Sequence, residues 1–148
     1  MDIFILAQKS PDILDEGGYF DYPMDSTEDL RSETILTLES MGIKVEYSHH
    51  EVTPSQHEID LRYVDPLKMA DMVMIYRVSA KEIARNAVYT LHFMPKSLFG
   101  KNGSRMHTNQ SLFKGEQNAS FDSINTTYLI TLVLNQWVNS YKKSYPWL

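Results

Sequence analysis

The feature that most constrains this chain is a pair of alternating segments, IKVEYSHHEV (43–52) and HEIDLRYV (57–64), separated only by Thr-Pro-Ser-Gln. Period-two alternation on both sides of a short turn-forming linker predicts a β-hairpin. On its second strand Glu58, Asp60 and Arg62 then share one face, and Ile59, Leu61 and Tyr63 the other.

Helices flank the hairpin. Residues 26–42 carry Ser26 or Thr27 as cap, acidic residues in the first turn, an apolar stripe of Leu30, Ile35, Leu38 and Met41, and Gly42 as terminator. Asp65 and Pro66 open a second helix over 65–87, as cap and first helical residue. Its Met-rich stretch KMADMVMIY reads as core. Strands are expected at 2–6 and 89–95. A third, at 105–113, would project His107, Asn109 and Ser111 from one face. Residues 10–25, including GGYFD, and 97–106 read as loops, and KGEQNASFDS as a turn region. From 128 onward a helix and an irregular tail are expected. The fold class is α+β, a mostly antiparallel sheet with flanking helices in one domain of 148 residues. A chain this long buries roughly 70% of its unfolded surface, and 43% hydrophobic content can fill that core.

A net charge of -5 argues against nucleic acid or an anionic membrane as partner. The absence of cysteine removes disulfides, zinc–thiolate sites and thiol nucleophiles, and fits a cytoplasmic protein. The N-terminal segment has no basic region or cleavage site of a signal peptide. YLITLVL (128–134) is too short to span a bilayer, and the sequons at Asn102, Asn118 and Asn125 read as chance. No P-loop, GxGxxG, HExxH or GxSxG pattern is present.

Chemistry concentrates in SHHEVTPSQHEIDLRY (48–63). A hairpin brings Glu51 and Glu58 close, and adjacent carboxylates repel unless a cation lies between them. The residues alone leave two readings open: half of a hard-cation site, or solvated edge-strand charges beside ordinary histidines. In NGSRMHTNQS, Gly103 lets backbone N–H groups approach a small ligand, with His107, Asn109 and Ser111 beside it; a plain turn is the rival reading.

Taken together, the ordered blocks GGYFD, EDLR, LESMGIKVEYSHHEVTPSQHEID, ADM and FMPKSLFGKNGSRMHTNQSLF closely resemble the catalytic-domain core of glutamine synthetase, from about Gly17 to Phe113. A weaker similarity resumes at VNSYKK (138–143). The resemblance implies a partial catalytic domain over 1–148, without the N-terminal β-grasp domain and the C-terminal part of the catalytic domain. It implies ATP-dependent ligation of ammonia to glutamate through γ-glutamyl phosphate. Mg²⁺ or Mn²⁺ are the implied cofactors, and glutamate, ATP and ammonia the implied partners.

By the same resemblance Glu51, Glu58 and Asp2 match ligands of the first metal, and His107 a ligand of the second. Asn102 and Gly103 match the glutamate-holding loop, and Glu46, His49 and Ser111 the nucleotide contacts. His50 and His57 are left as structural. Several residues depart from the family pattern. Asp2 stands for a glutamate, Arg105 for a glycine, Asn109 for a histidine, Ser97 for a proline and Lys143 for an arginine; lysine cannot reproduce an arginine fork. The chain also looks shorter than the family between YLITLVL and VNSYKK. An arginine on a transferring phosphate can be worth roughly 10³–10⁵ in rate, so the missing segments imply little turnover by this chain alone. The alternative is a non-catalytic remnant, or a chain that co-assembles with a full-length synthetase or with itself.

Overall fold

The computed structural model describes residues 1–7, 12–20 and 25–118. The expected late helix and tail, Asn125 and Lys143 lie outside the described residues. Contacts divide the chain into two units, 1–107 and 108–148.

The first unit is built on a four-stranded antiparallel sheet in the order β2-β3-β1-β4. Its strands are β1 (Asp2–Ala7), β2 (Val45–His50), β3 (Gln56–Leu61) and β4 (Tyr89–His92), with the helices α1 (Glu28–Ser40) and α2 (Pro66–Asn86). The hairpin is present as β2 and β3. Its turn closes with Gln56 N–H donating to Thr53 C=O at 3.0 Å, with Pro54 second and Ser55 third at φ 57°. Proline followed by a positive φ is the pattern of a type II turn. Serine accepts this left-handed position because its neighbours hold it there. Its N–H donates to Asp15 Oδ1 (2.9 Å), its Oγ accepts from Leu14 N–H (2.7 Å) and its C=O accepts from Ile5 N–H (3.0 Å).

Both helices cover one face of the sheet. Ile3, Ile5, Ile59 and Leu91 meet Leu30 and Leu38 of α1 and Met72, Tyr76, Ala80, Ile83 and Ala84 of α2. Asp65 caps α2 as expected, accepting from Leu67 N–H at 3.1 Å, with Pro66 at the helix start. Gly42, at φ 81°, ends α1 in a Schellman arrangement. Gly42 N–H reaches Glu39 C=O (2.9 Å) and Ile43 N–H reaches Leu38 C=O (3.0 Å). The buried pair Ile43 and Leu38 completes it.

Four expectations need correction. The N-cap Thr27 makes no side-chain capping bond, because its hydroxyl is taken by His57. The buried face of α1 is Leu30, Arg31, Thr34 and Leu38, while Met41 is exposed and Ile35 only half-buried, so the helix packs partly through polar contacts. Of the methionines in the α2 stretch only Met72 is in the core, and Met74 faces solvent. Residues 102–112 form no strand. Instead 104 and 105 bond to Pro95 C=O and to Asp2, so the alternating pattern there does not mark a strand.

In the second unit the described residues, 108–118, hold a two-stranded ladder, β5 (Phe113–Lys114) and β6 (Gln117–Asn118). Gly115, first of the two loop residues and at φ 62°, suits a type II′ hairpin.

Candidate metal centre

Antiparallel register assembles the centre. Glu58 on β3 faces Asp2 on β1 on one side and His49 on β2 on the other. Cross-strand partners point to the same side of a sheet, so the three side chains form a row on the face away from the helices. Glu51 joins it just beyond β2, where its N–H donates to Gln56 C=O at 2.7 Å. Ligand oxygens of Asp2, Glu51 and Glu58 all lie within 4.8 Å of one another.

The row is negative and mostly buried. Asp2 and Glu58 are 6% and 5% exposed. Glu51 Oε2 accepts from the Tyr19 hydroxyl (2.9 Å) and from Val52 N–H (3.2 Å), and Oε1 lies 3.3 Å from His49 Nε2. Burial opposes ionisation of Glu51, but these donors outweigh it and hold its carboxyl below the usual range. Asp2 is pushed the other way. Burial raises its pKa, and although Arg105 N–H opposes this, the charges of Glu58 and Glu51 add to it. Asp2 Oδ2 accepts from Arg105 N–H at 2.9 Å and from Gln56 Nε2 at 3.1 Å. Its buried Oδ1 has no hydrogen-bond partner among the described residues. The α-amino group of Met1 lies 2.9 Å from Glu58 Oε1.

The other predicted residues divide. His107 Nδ1 lies 3.8 Å from Glu58 Oε1, on a largely exposed side chain. His49 stacks on Tyr19 with ring centroids 5.4 Å apart, and its Nε2 is 3.7 Å from Glu58 Oε2. Asn102 is exposed, beside Gly103. A Cβ on Gly103 would stand 2.4 Å from Pro95 C=O, so only glycine allows this approach. Glu46 is exposed, at the bulge where β2 loses register with β3. Ser111 is exposed in the second unit. Gln56, Tyr19 and Asp15 were missed. Gln56 had a signal, since it shares the period-two face of Glu58; the other two approach only through tertiary structure.

Beneath the same hairpin, on the helix face, lies a second cluster with metal-ligand chemistry: Asp15, His50 and His57, also within 4.8 Å of one another. His50 Nδ1 meets Glu51 C=O (2.6 Å) and Nε2 meets Asp15 Oδ1 (2.8 Å). Both partners only accept, so both ring nitrogens carry hydrogen and His50 is an imidazolium. Burial lowers its pKa, but the bonds to Asp15 and Glu51 raise it further than burial lowers it. Burial likewise opposes ionisation of Asp15, yet the His50 and Ser55 donors hold its carboxyl at about 2. His57 is the reverse. Arg31 can only donate, at 2.9 Å to Nδ1, so Nε2 carries the hydrogen and donates to Thr27 Oγ1 at 2.8 Å. Burial and the neighbouring His50 charge lower its pKa to about 3. Every ring nitrogen is committed, and no lone pair is left for a metal.

Comparison with known proteins supplies an independent view. The family profile described as "Glutamine synthetase, catalytic domain" matches residues 3–138. A glutamine synthetase of Methanosarcina mazei is 44% identical over 153 aligned positions, covering 91% of this chain and 34% of that protein. One from Staphylococcus aureus is 43% identical over 165 positions, covering 97% and 37%. Both alignments exceed 148 positions, so these relatives carry residues that this chain lacks. A cryo-EM structure of Plasmodium falciparum glutamine synthetase superposes with a TM-score of 0.69 at 36% identity, covering 76% of this chain and 22% of that one. The chain thus spans about a third of the length of the curated relatives it matches.

Proposed function

Because the chain belongs to the glutamine synthetase catalytic-domain family, we propose that it supplies the cation-holding part of an ATP-dependent glutamate–ammonia ligase site. The supporting observation is the buried Oδ1 of Asp2, unpartnered among the described residues, on a residue clustered with two further carboxylates. A carboxylate oxygen in that position is costly unless a proton or a cation meets it. Oxygen ligands at close quarters suit Mg²⁺, and the imidazoles of His49 and His107 at the edge suit Mn²⁺ equally.

In this reading Asp2, Glu51 and Glu58 hold the first cation, and His107 contributes to a second. A divalent cation there supplies neutralisation of the charge that develops on a transferring phosphoryl group. Asn102 and Gly103 orient the glutamate, Glu46 and His49 face the nucleotide, and Ser111 is assigned to the nucleotide by resemblance alone. Tyr19 and Val52 fix one oxygen of Glu51 and leave the other to the cluster. The reaction is ligation of ammonia to glutamate through γ-glutamyl phosphate, in the cytoplasm, by a partial catalytic domain that works in a homo-oligomer or beside a full-length synthetase.

The test is titration of the purified chain with Mn²⁺. Glu51→Ala and Glu58→Ala are each expected to weaken binding at least tenfold, and unchanged affinity in both removes the metal reading.

A second reading is that the chain acts as a non-catalytic interaction partner of a complete enzyme. Co-elution with an intact glutamine synthetase at micromolar concentration supports it, and separate elution counts against it.

No helix among the described residues is long and apolar enough to cross a membrane.

A further inference from the structure

We infer that Gln56 is a positioning residue that ties the carboxylate cluster to the loop at 102–105, so that cation occupancy and the order of that loop are coupled. This rests on the cation reading above and adds a residue and a coupling to it.

Gln56 is the first residue of β3, 2% exposed, paired with Phe4 and on the same face as Glu58. Its Nε2 donates to Asp2 Oδ2 at 3.1 Å and to Gly103 C=O at 3.3 Å. A side-chain amide has two N–H groups, so both are used, one on the cluster and one on the loop. The loop returns the contact, because Arg105 N–H donates to the same Asp2 Oδ2 and Arg105 C=O accepts from Asp2 N–H, each at 2.9 Å. Two donors on Oδ2 fix the carboxylate plane, and the buried Oδ1 is left without a hydrogen-bond partner among the described residues.

The loop has little room to give. Gly103 lies against Pro95 C=O, where a Cβ would approach to 2.4 Å, and Ser104 N–H donates to the same carbonyl at 3.0 Å. Any movement of Asp2 toward a cation therefore passes through Gln56 and the 105 backbone to the loop. Linkage makes the effect reciprocal: order in the loop must favour the cation by the factor with which the cation favours the loop.

The full chain is titrated with Mn²⁺ alone, following free ion by electron paramagnetic resonance. In parallel, trypsin cleavage after Lys101 and Arg105 is timed with and without Mn²⁺. Saturating Mn²⁺ is expected to slow cleavage of the wild-type loop. Gln56→Met keeps the length of the side chain and removes both donors. It is expected to weaken Mn²⁺ about 10–100-fold, as loss of an outer partner of a metal ligand does. It should also abolish the protection at saturating Mn²⁺. Gln56→Asn, which keeps the amide but shortens the reach, is expected to fall between.

If Gln56→Met does not fold, Gly103→Ala serves from the other end, displacing the loop and weakening Mn²⁺ without touching a carboxylate. Wild-type affinity in either folded variant overturns the positioning role. Absence of Mn²⁺ protection in the wild type overturns the coupling. If instead Glu51→Ala and Glu58→Ala bind Mn²⁺ normally, the cation reading itself has failed, and this inference with it.

Discussion

The two faces of the β2–β3 hairpin carry nearly the same chemistry with opposite outcomes. On the helix face, Asp15, His50 and His57 converge within 4.8 Å; on the other face, Asp2, Glu51 and Glu58 do the same. Adjacent residues feed the two sets, His50 beside Glu51 and His57 beside Glu58. The helix-face set is closed, with each charge matched and each ring nitrogen bonded. The other gathers three carboxylates with the Met1 α-amino group beside one of them, and has an oxygen with no hydrogen-bond partner among the described residues. Ligand-type residues in proximity are thus insufficient to mark a site, and the unspent bonding capacity separates a structural cluster from a receptive one.

The sharpest way to break this comparison is to remove one carboxylate from each face. Asp15→Asn leaves the buried His50 charge without its counter-ion and should destabilise the fold by about 3–5 kcal/mol, measured by denaturant unfolding. A loss below about 1 kcal/mol would show that the helix-face set is not a closed ion pair.

Next in size is the response to acid. His57 has a folded pKa of about 3 against 6.5 when unfolded, and Asp15 about 2 against 3.8. Both are depressed, so their stabilisation is whole above the unfolded values and drains as pH falls toward the folded ones. His50 is raised, so its contribution is whole below about 6.5 and is lost as pH climbs past its folded value. Melting temperature followed from pH 3 to 9 should decline on both limbs, and a flat profile from pH 4 to 8 contradicts the assignment of one charged and one neutral histidine.

Ser55→Ala should cost about 1–3 kcal/mol, since it strands the Leu14 N–H that now meets Ser55 Oγ at 2.7 Å. The smallest effect has the opposite sign. Asp2→Asn relieves like-charge repulsion and should stabilise the cation-free protein slightly while weakening Mn²⁺. Destabilisation here, as in Asp15→Asn, would erase the distinction between the faces.

Local chemistry was readable in the sequence. Asp65-Pro66 starts α2, Gly42 ends α1, and alternation about Thr-Pro-Ser-Gln makes the hairpin that brings Glu51 and Glu58 together. What eluded the sequence depends on partners far along the chain. Arg31 is buried because Asp25 and His57 await it, and Thr27 abandons its capping bond for the same histidine. Asp15 and Tyr19 sit in a loop whose composition says only that it turns. The run before Phe113 has the period of a strand but is not one, and periodicity alone cannot tell the two apart.

The bond between Arg105 N–H and Asp2 Oδ2 joins residues 103 positions apart. Glu51 and Glu58 come from one hairpin. Closing the longer span costs roughly 2 kcal/mol more chain entropy than closing the hairpin. The hairpin pair can therefore form early and locally, whereas the third carboxylate and the loop it anchors arrive only when the ends of the unit meet. In a refolding experiment, then, cation affinity should appear after the hairpin's own structure, as a late event in the life of each newly folded molecule.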